Sequence, residues 1–115
     1  MKKTALFAFQ GDPMCFIHVL LNALDLKAKG GDALIVIEGQ AVKLVPEMAV
    51  EGALLHPLYR KAREQGLIAG VCRACSAKFN VLPAVEAEGL AILDDMSGHA
   101  GMSGFLAAGF EIITF

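Results

Sequence analysis

Short apolar runs alternate along this chain with segments whose apolar residues recur every three or four positions. That alternation predicts strand and helix in turn. Residues 4–9, Thr-Ala-Leu-Phe-Ala-Phe, predict a first strand. Gln10-Gly11 reads as a turn, Asp12 as a helix N-cap and Pro13 as the first helical residue. Met14, Ile17, Leu21, Leu24 and Ala28 then form one face of a helix over residues 13–29, stopped by Gly30-Gly31. Residues 33–37 are continuously apolar, as in a strand buried on both faces. Residues 41–52 predict one or two helical turns interrupted at Pro46, and residues 57–65 a helix with His56 at its cap. A third strand follows over 67–71, then a short helix, then a helical turn or two over 83–88. Residues 90–93 predict a fourth strand, residues 99–108 a last helix starting at His99, and residues 110–115 a final strand.

Five strands alternating with helices imply one α/β domain over residues 1–115, a mostly parallel sheet in a three-layer α/β/α arrangement. Short right-handed crossovers favour a flavodoxin-like order, 2-1-3-4-5. Ligands bind such sheets beyond the carboxyl ends of the strands. The functional rim is therefore residues 10–15, 38–40, 72–75 and 94–99.

Composition adds two constraints. Of 115 residues, 56% are hydrophobic and only 19% charged, which leaves few polar side chains to cover an isolated domain. That favours either a heavily buried parallel sheet or an oligomer that hides more surface. The net charge of −2 offers no basic stripe for phosphates, so no nucleic-acid partner is expected. Met1-Lys2-Lys3 resembles a signal-peptide start, but the apolar run behind it stops at Gln10-Gly11-Asp12-Pro13. No apolar stretch approaches membrane-spanning length. Three cysteines make no disulfide framework and fit a cytoplasmic protein with free, catalytic or metal-binding thiols.

Two of the three lie in Val-Cys-Arg-Ala-Cys, Cys72 and Cys75, where the third strand gives way to a helix. A helix start and the cations of Arg73 and Lys78 would lower a thiol pKa there. Cys72, at the strand end, is the candidate sulfur carrier and Cys75 the supporting thiol. A structural zinc site needs four ligands, and the chain has a single C-x-x-C pair; Cys15 and a histidine would have to complete it. No metal or other cofactor is therefore expected. A thioredoxin-type site would need a hairpin that the alternating pattern does not offer.

The other rim residues are weaker candidates for binding. Asp12 is explained by capping, and Cys15 in the same turn is as readily a packed residue as a reactive one. His99 can serve as a base supporting a thiolate or stand as a polar residue at a helix start. Glu38 and Gln40 can orient a ligand or be solvated. Asp94-Asp95 gives weak support for metal binding, and His18 and His56 read as structural or surface residues. The glycines form neither nucleotide-binding pattern.

Three segments together resemble the DsrE/DsrF-like superfamily of small sulfur-relay proteins: Phe-x-Phe-Gln-Gly-Asp-Pro-Met, Val-Cys-Arg-Ala-Cys-Ser-Ala-Lys, and Gly-His-x-Gly-Met running on to Gly-Phe-Glu-Ile-Ile-Thr-Phe. The resemblance covers nearly the whole chain. It implies a flavodoxin-like α/β/α fold, homo-oligomers such as trimers or hexamers, and a cysteine that takes sulfane sulfur from a donor and passes it to an acceptor protein. Cys72 best matches that cysteine; Cys75 is an additional thiol that many members lack at this place. Whether the protein is itself a sulfurtransferase does not follow from the resemblance.

Overall fold

The computed structural model describes residues 2–115. The strands are β1 (Lys3–Ala8), β2 (Asp32–Ile37), β3 (Ile68–Cys72), β4 (Ile92–Leu93) and β5 (Glu111–Thr114). The helices are α1 (Pro13–Ala28), α2 (Leu44–Met48), α3 (His56–Glu64), α4 (Arg73–Lys78), α5 (Leu82–Ala87) and α6 (Ser103–Ala107), with a 3-10 turn over Gly39–Lys43. All five strands pair in parallel, in the order β4-β3-β2-β1-β5.

This order corrects the flavodoxin-like expectation of 2-1-3-4-5, which would make β2 an edge strand. Ile35, Val36 and Ile37 are fully buried, and a strand buried on both faces is best served by a partner on each side. The edges go instead to the two-residue β4 and to β5, whose Glu111, Ile113 and Thr114 are exposed. Short or polar strands at the edges leave little backbone open to pairing with other chains.

The order also decides where the helices lie. From β1 to β4 every step goes in one direction, so right-handed crossovers put α1 to α5 on one face. Leu6, Ala8, Ile35, Ile37 and Val71 meet α1, α2, α3 and α5 there, through Phe16, Leu20, Val45, Met48, Tyr59 and Val85. Only the last connection runs back over the opposite face. Ala5, Phe7, Val36 and Cys72 meet it through Ala100, Met102, Phe105 and Phe110. Phe7 and Phe105 pack edge to face, with ring centroids 5.5 Å apart.

Two local expectations are corrected. Pro46 does not break the helical turns; it sits inside the first turn of α2, where its missing N–H costs nothing. The last helix starts at Ser103, not His99, which lies in a turn. Among the described residues no helix is long and apolar enough to cross a membrane.

Candidate functional site

Adjacent strands β3 and β4 send their carboxyl ends to opposite faces. After Cys72 the chain enters α4 on the helix-rich face; after Leu93 it runs to the other face. Such a divergence opens a crevice beyond the strand ends. Cys72 and Leu93 are paired across it.

Several contacts shape its walls. Ser76 Oγ donates to the Cys72 carbonyl at 2.7 Å, pinning the strand-to-helix bend. Arg73 Nε donates to Asp94 Oδ2 at 3.0 Å and the Ala74 N–H to the Gly98 carbonyl at 2.9 Å, so α4 is tied to the loop after β4. In that loop Met96 and His99 exchange both backbone hydrogen bonds, at 2.9 and 2.8 Å. The residues between them, Ser97 and Gly98, have φ of 50° and 88°, the pattern of a type I′ turn. Glycine suits such a position without steric cost. The turn folds His99 back over the thiols.

His99 Nδ1 lies 3.4 Å from Cys72 Sγ and 3.7 Å from Cys75 Sγ. The three atoms are all within 4.8 Å of one another. One imidazole nitrogen therefore stands ready to take a thiol proton or to donate to a thiolate. Cys72 is fully buried and Cys75 partly exposed; both are free thiols.

The electrostatics differ from the expectation that Arg73 and Lys78 lower the thiol pKa. Arg73 is engaged by Asp94, and α4 is only six residues long. The Cys75 thiol is pushed above its ordinary value, first by burial and then by its hydrogen bond with Cys72. The Gly39 N–H opposes this by donating to the Cys75 sulfur. Gly39 can aim that N–H because it adopts φ +58°, where a Cβ would stand 3.0 Å from the Phe9 carbonyl oxygen. The Cys75 thiol thus holds its proton more tightly than a free cysteine does.

Glu38 is the fourth group gathered here. It is 7% exposed, and its Oε2 has no hydrogen-bond partner. Burial pushes its carboxyl from 4.5 to about 7. An unpartnered buried carboxyl favours the neutral form.

The structure thus assembles Cys72, Cys75, His99 and Glu38 and leaves the other rim candidates outside. Asp12 Oδ1 accepts from the Met14 N–H at 2.8 Å, an ordinary cap. Cys15 is exposed and lies outside the thiol–imidazole cluster. Gln40 is exposed, with its Cβ against Gly11. His56 caps nothing; it is the first residue of α3, with Nδ1 2.8 Å from the Met48 carbonyl. Sequence reasoning missed Gly39, whose one signal is a glycine directly after a strand-end acid. It also missed the apolar wall made by Met96, Ala100 and Met102. Two sulfurs and one nitrogen would suit a soft metal ion, but they fill three corners of a tetrahedron, and Cys15 does not supply the fourth.

Fold and site define an α/β protein with a parallel five-stranded sheet and a thiol–imidazole cluster at a strand divergence. No family model matches the chain. An uncharacterized protein of Methanocaldococcus jannaschii is 32% identical over 97 residues, which covers 84% of this chain and 77% of the relative. An uncharacterized protein of Archaeoglobus fulgidus is 36% identical over 59 residues, 51% of this chain and 95% of the relative. The chain belongs to the same family as the Methanocaldococcus protein.

Proposed function

We propose that this protein carries sulfane sulfur as a cysteine persulfide on the Cys72–Cys75 pair, on a three-layer α/β/α frame, as its resemblance to the DsrE/DsrF-like proteins implies. The observation that carries the reading is the convergence of both sulfurs on His99 Nδ1, at 3.4 and 3.7 Å. Cys72 was the expected carrier. Its complete burial favours Cys75, the reachable sulfur, as the point of entry, with Cys72 beside it. His99 takes the Cys75 proton, and the thiolate attacks the terminal sulfur of a donor R–S–SH. The products are Cys75–S–SH and R–SH. An acceptor thiolate then attacks the same terminal sulfur and restores Cys75. Rates in such exchange follow thiolate fraction, leaving group and access.

The free thiols fit a cytoplasmic setting. A homo-oligomer, trimer or hexamer, fits the exposed apolar side chains of Leu106 on α6 and Ile113 on the edge strand β5.

Intact-mass spectrometry tests the reading. Incubated with a hydropersulfide, the wild type should gain mass in steps of one sulfur atom, and Cys75→Ser should abolish the gain. Absence of any gain in the wild type would sink the proposal. A second reading, a soft-metal site, is favoured by the two sulfurs and one nitrogen lying within 4.8 Å of one another. It requires stoichiometric metal to co-purify with the protein and to be lost in His99→Ala.

A further inference from the structure

The sulfur-carrying reading leaves one buried group without a task. Glu38 lines a cavity of about 420 Å³ and stands near enough to Cys75 to act on its thiol. Phe9, Glu38, Asp95, Met96, Ala100 and Met102 line that cavity, which is large enough for a small organic group. Phe9, Met102 and Cys75 pack against the same buried cluster, of which Cys72 is part. Ala100 and Met96 flank His99 in the turn that carries it. Gly39, the residue after Glu38, contacts the Cys75 sulfur.

We propose that this cavity receives the uncharged organic half of a small hydropersulfide, and that Glu38 donates a proton to the thiolate that leaves when Cys75 takes the terminal sulfur. This rests on the sulfur-carrying reading and adds the donor class and the acid. Every hydrogen-bonding atom of a buried group needs a partner, and Glu38 Oε2 has none within the protein. Glu38 lines the cavity, so a turn of its carboxyl toward a ligand sulfur there would supply one. The surrounding charges set the donor's class. Glu38 and Asp95 both face the cavity, Asp95 Oδ1 accepting from the Gly101 N–H at 3.0 Å, and no Lys, Arg or His lines it among the described residues. Desolvating a dianion such as thiosulfate in this cavity, with no such cation to pair with, is unfavourable. A neutral alkyl group beside Phe9, Met96 and Met102 is not.

The step balances without an oxidant. His99 Nδ1 accepts the Cys75 proton as Sγ bonds to the terminal sulfur of R–S–SH. The S–S bond to R breaks, and its electron pair stays on the departing sulfur. That sulfur takes the Glu38 proton and leaves as R–SH. The proton on His99 returns through water to the Glu38 carboxylate. The titratable neighbours of this exchange are Cys75 on α4, Cys72 at the end of β3, and Asp95 and His99 in the loop after β4. Burial keeps Glu38 protonated up to about pH 7, as a donor must be.

The test measures single-turnover sulfur uptake by intact mass in the full chain, comparing wild type with the near-isosteric Glu38→Gln. The donor is the hydropersulfide of mercaptoethanol, and the pH is kept below the ionisation of Glu38. Uptake should slow about 100-fold in Glu38→Gln, the scale of a lost general acid. Reaction of the thiols with neutral dithiodipyridine, whose leaving group needs no such acid, should be unchanged, and thiosulfate should serve the wild type poorly. Equal uptake by the two proteins overturns the role of Glu38 and leaves the carrier reading standing. Slowing with both reagents also overturns it, since Glu38 would then act only on the thiols' setting. Thiosulfate serving as well as the hydropersulfide overturns the donor class. A wild type that takes no sulfur at all defeats the carrier reading itself.

Discussion

The carboxyl ends of β1 and β3 begin from the same sequence cue and end differently. Each is a buried strand followed by a helix with a cysteine in or near its first turn. After β1, Asp12 caps α1, and Cys15 points to solvent without joining any cluster. After β3, the cap residue is Cys72 itself, no side chain caps the helix, and both cysteines lie against an imidazole. The difference is topological. β1 and its neighbour β2 send their chains to the same face, so no crevice opens between them. β3 and β4 diverge, and the crevice fills with groups from three loops. A cysteine near a helix start is therefore not a site until a neighbouring strand turns away.

The sharpest way to break that contrast is at the thiols. Cys75→Ser should abolish persulfide formation, whereas Cys15→Ser should leave both persulfide formation and stability within about 0.5 kcal/mol of wild type. Intact mass and thermal denaturation read the two effects. Loss of sulfur uptake in Cys15→Ser would erase the distinction between the two strand ends.

A smaller effect concerns Glu38 and stability. Its carboxyl titrates at about 7 in the folded chain against an ordinary 4.5. The folded state therefore binds the proton more tightly than the unfolded state. This contribution to stability is complete below about pH 4.5, shrinks as the pH rises, and is gone above about pH 7. The difference corresponds to about 3 kcal/mol. Glu38→Gln should be more stable than wild type by about that amount near pH 8 and nearly equal near pH 4. Urea titrations at the two pH values decide it, and a flat difference would mean that Glu38 is not held neutral. A residue that weakens the fold at neutral pH is one whose presence calls for a functional account.

The smallest effect lies at β1. Asp12→Ala removes the bond to the Met14 N–H and should cost about 1 kcal/mol of stability while leaving thiol chemistry untouched. A change in sulfur uptake there would return Asp12 to the list of binding residues.

Much of this molecule was legible in its sequence because periodicity and punctuation are local. The Asp-Pro start of α1, the apolar run of β2 and the double glycine after α1 each stand close to where they were read. Strand order was not local, and the guess failed there. Its correction was nonetheless latent in the contrast between the apolar Leu-Ile-Val-Ile run of β2 and the polar positions of β5. His99 was read as helical because apolar residues follow it, yet Gly98, Gly101 and Gly104 weaken a helix there and the chain turns instead. The thiol pair was visible as spacing. Its pairing with His99 and Glu38 was not, because a carboxyl after a strand looks the same whether a wall later closes over it or water does.

The pairing of β5 with β1 has a consequence in time. Thr4 lies beside Glu111 and Leu6 beside Ile113, so β1 leaves the ribosome before the rest of the sheet and waits for a partner made after all the other strands. β1 can pair with β2 soon after synthesis, but its second edge and the ring of Phe7 stay open until α6 and β5 emerge. His99 reaches the thiols in that same late interval. During translation, then, Cys72 and Cys75 exist for a time without the imidazole that the finished fold sets beside them.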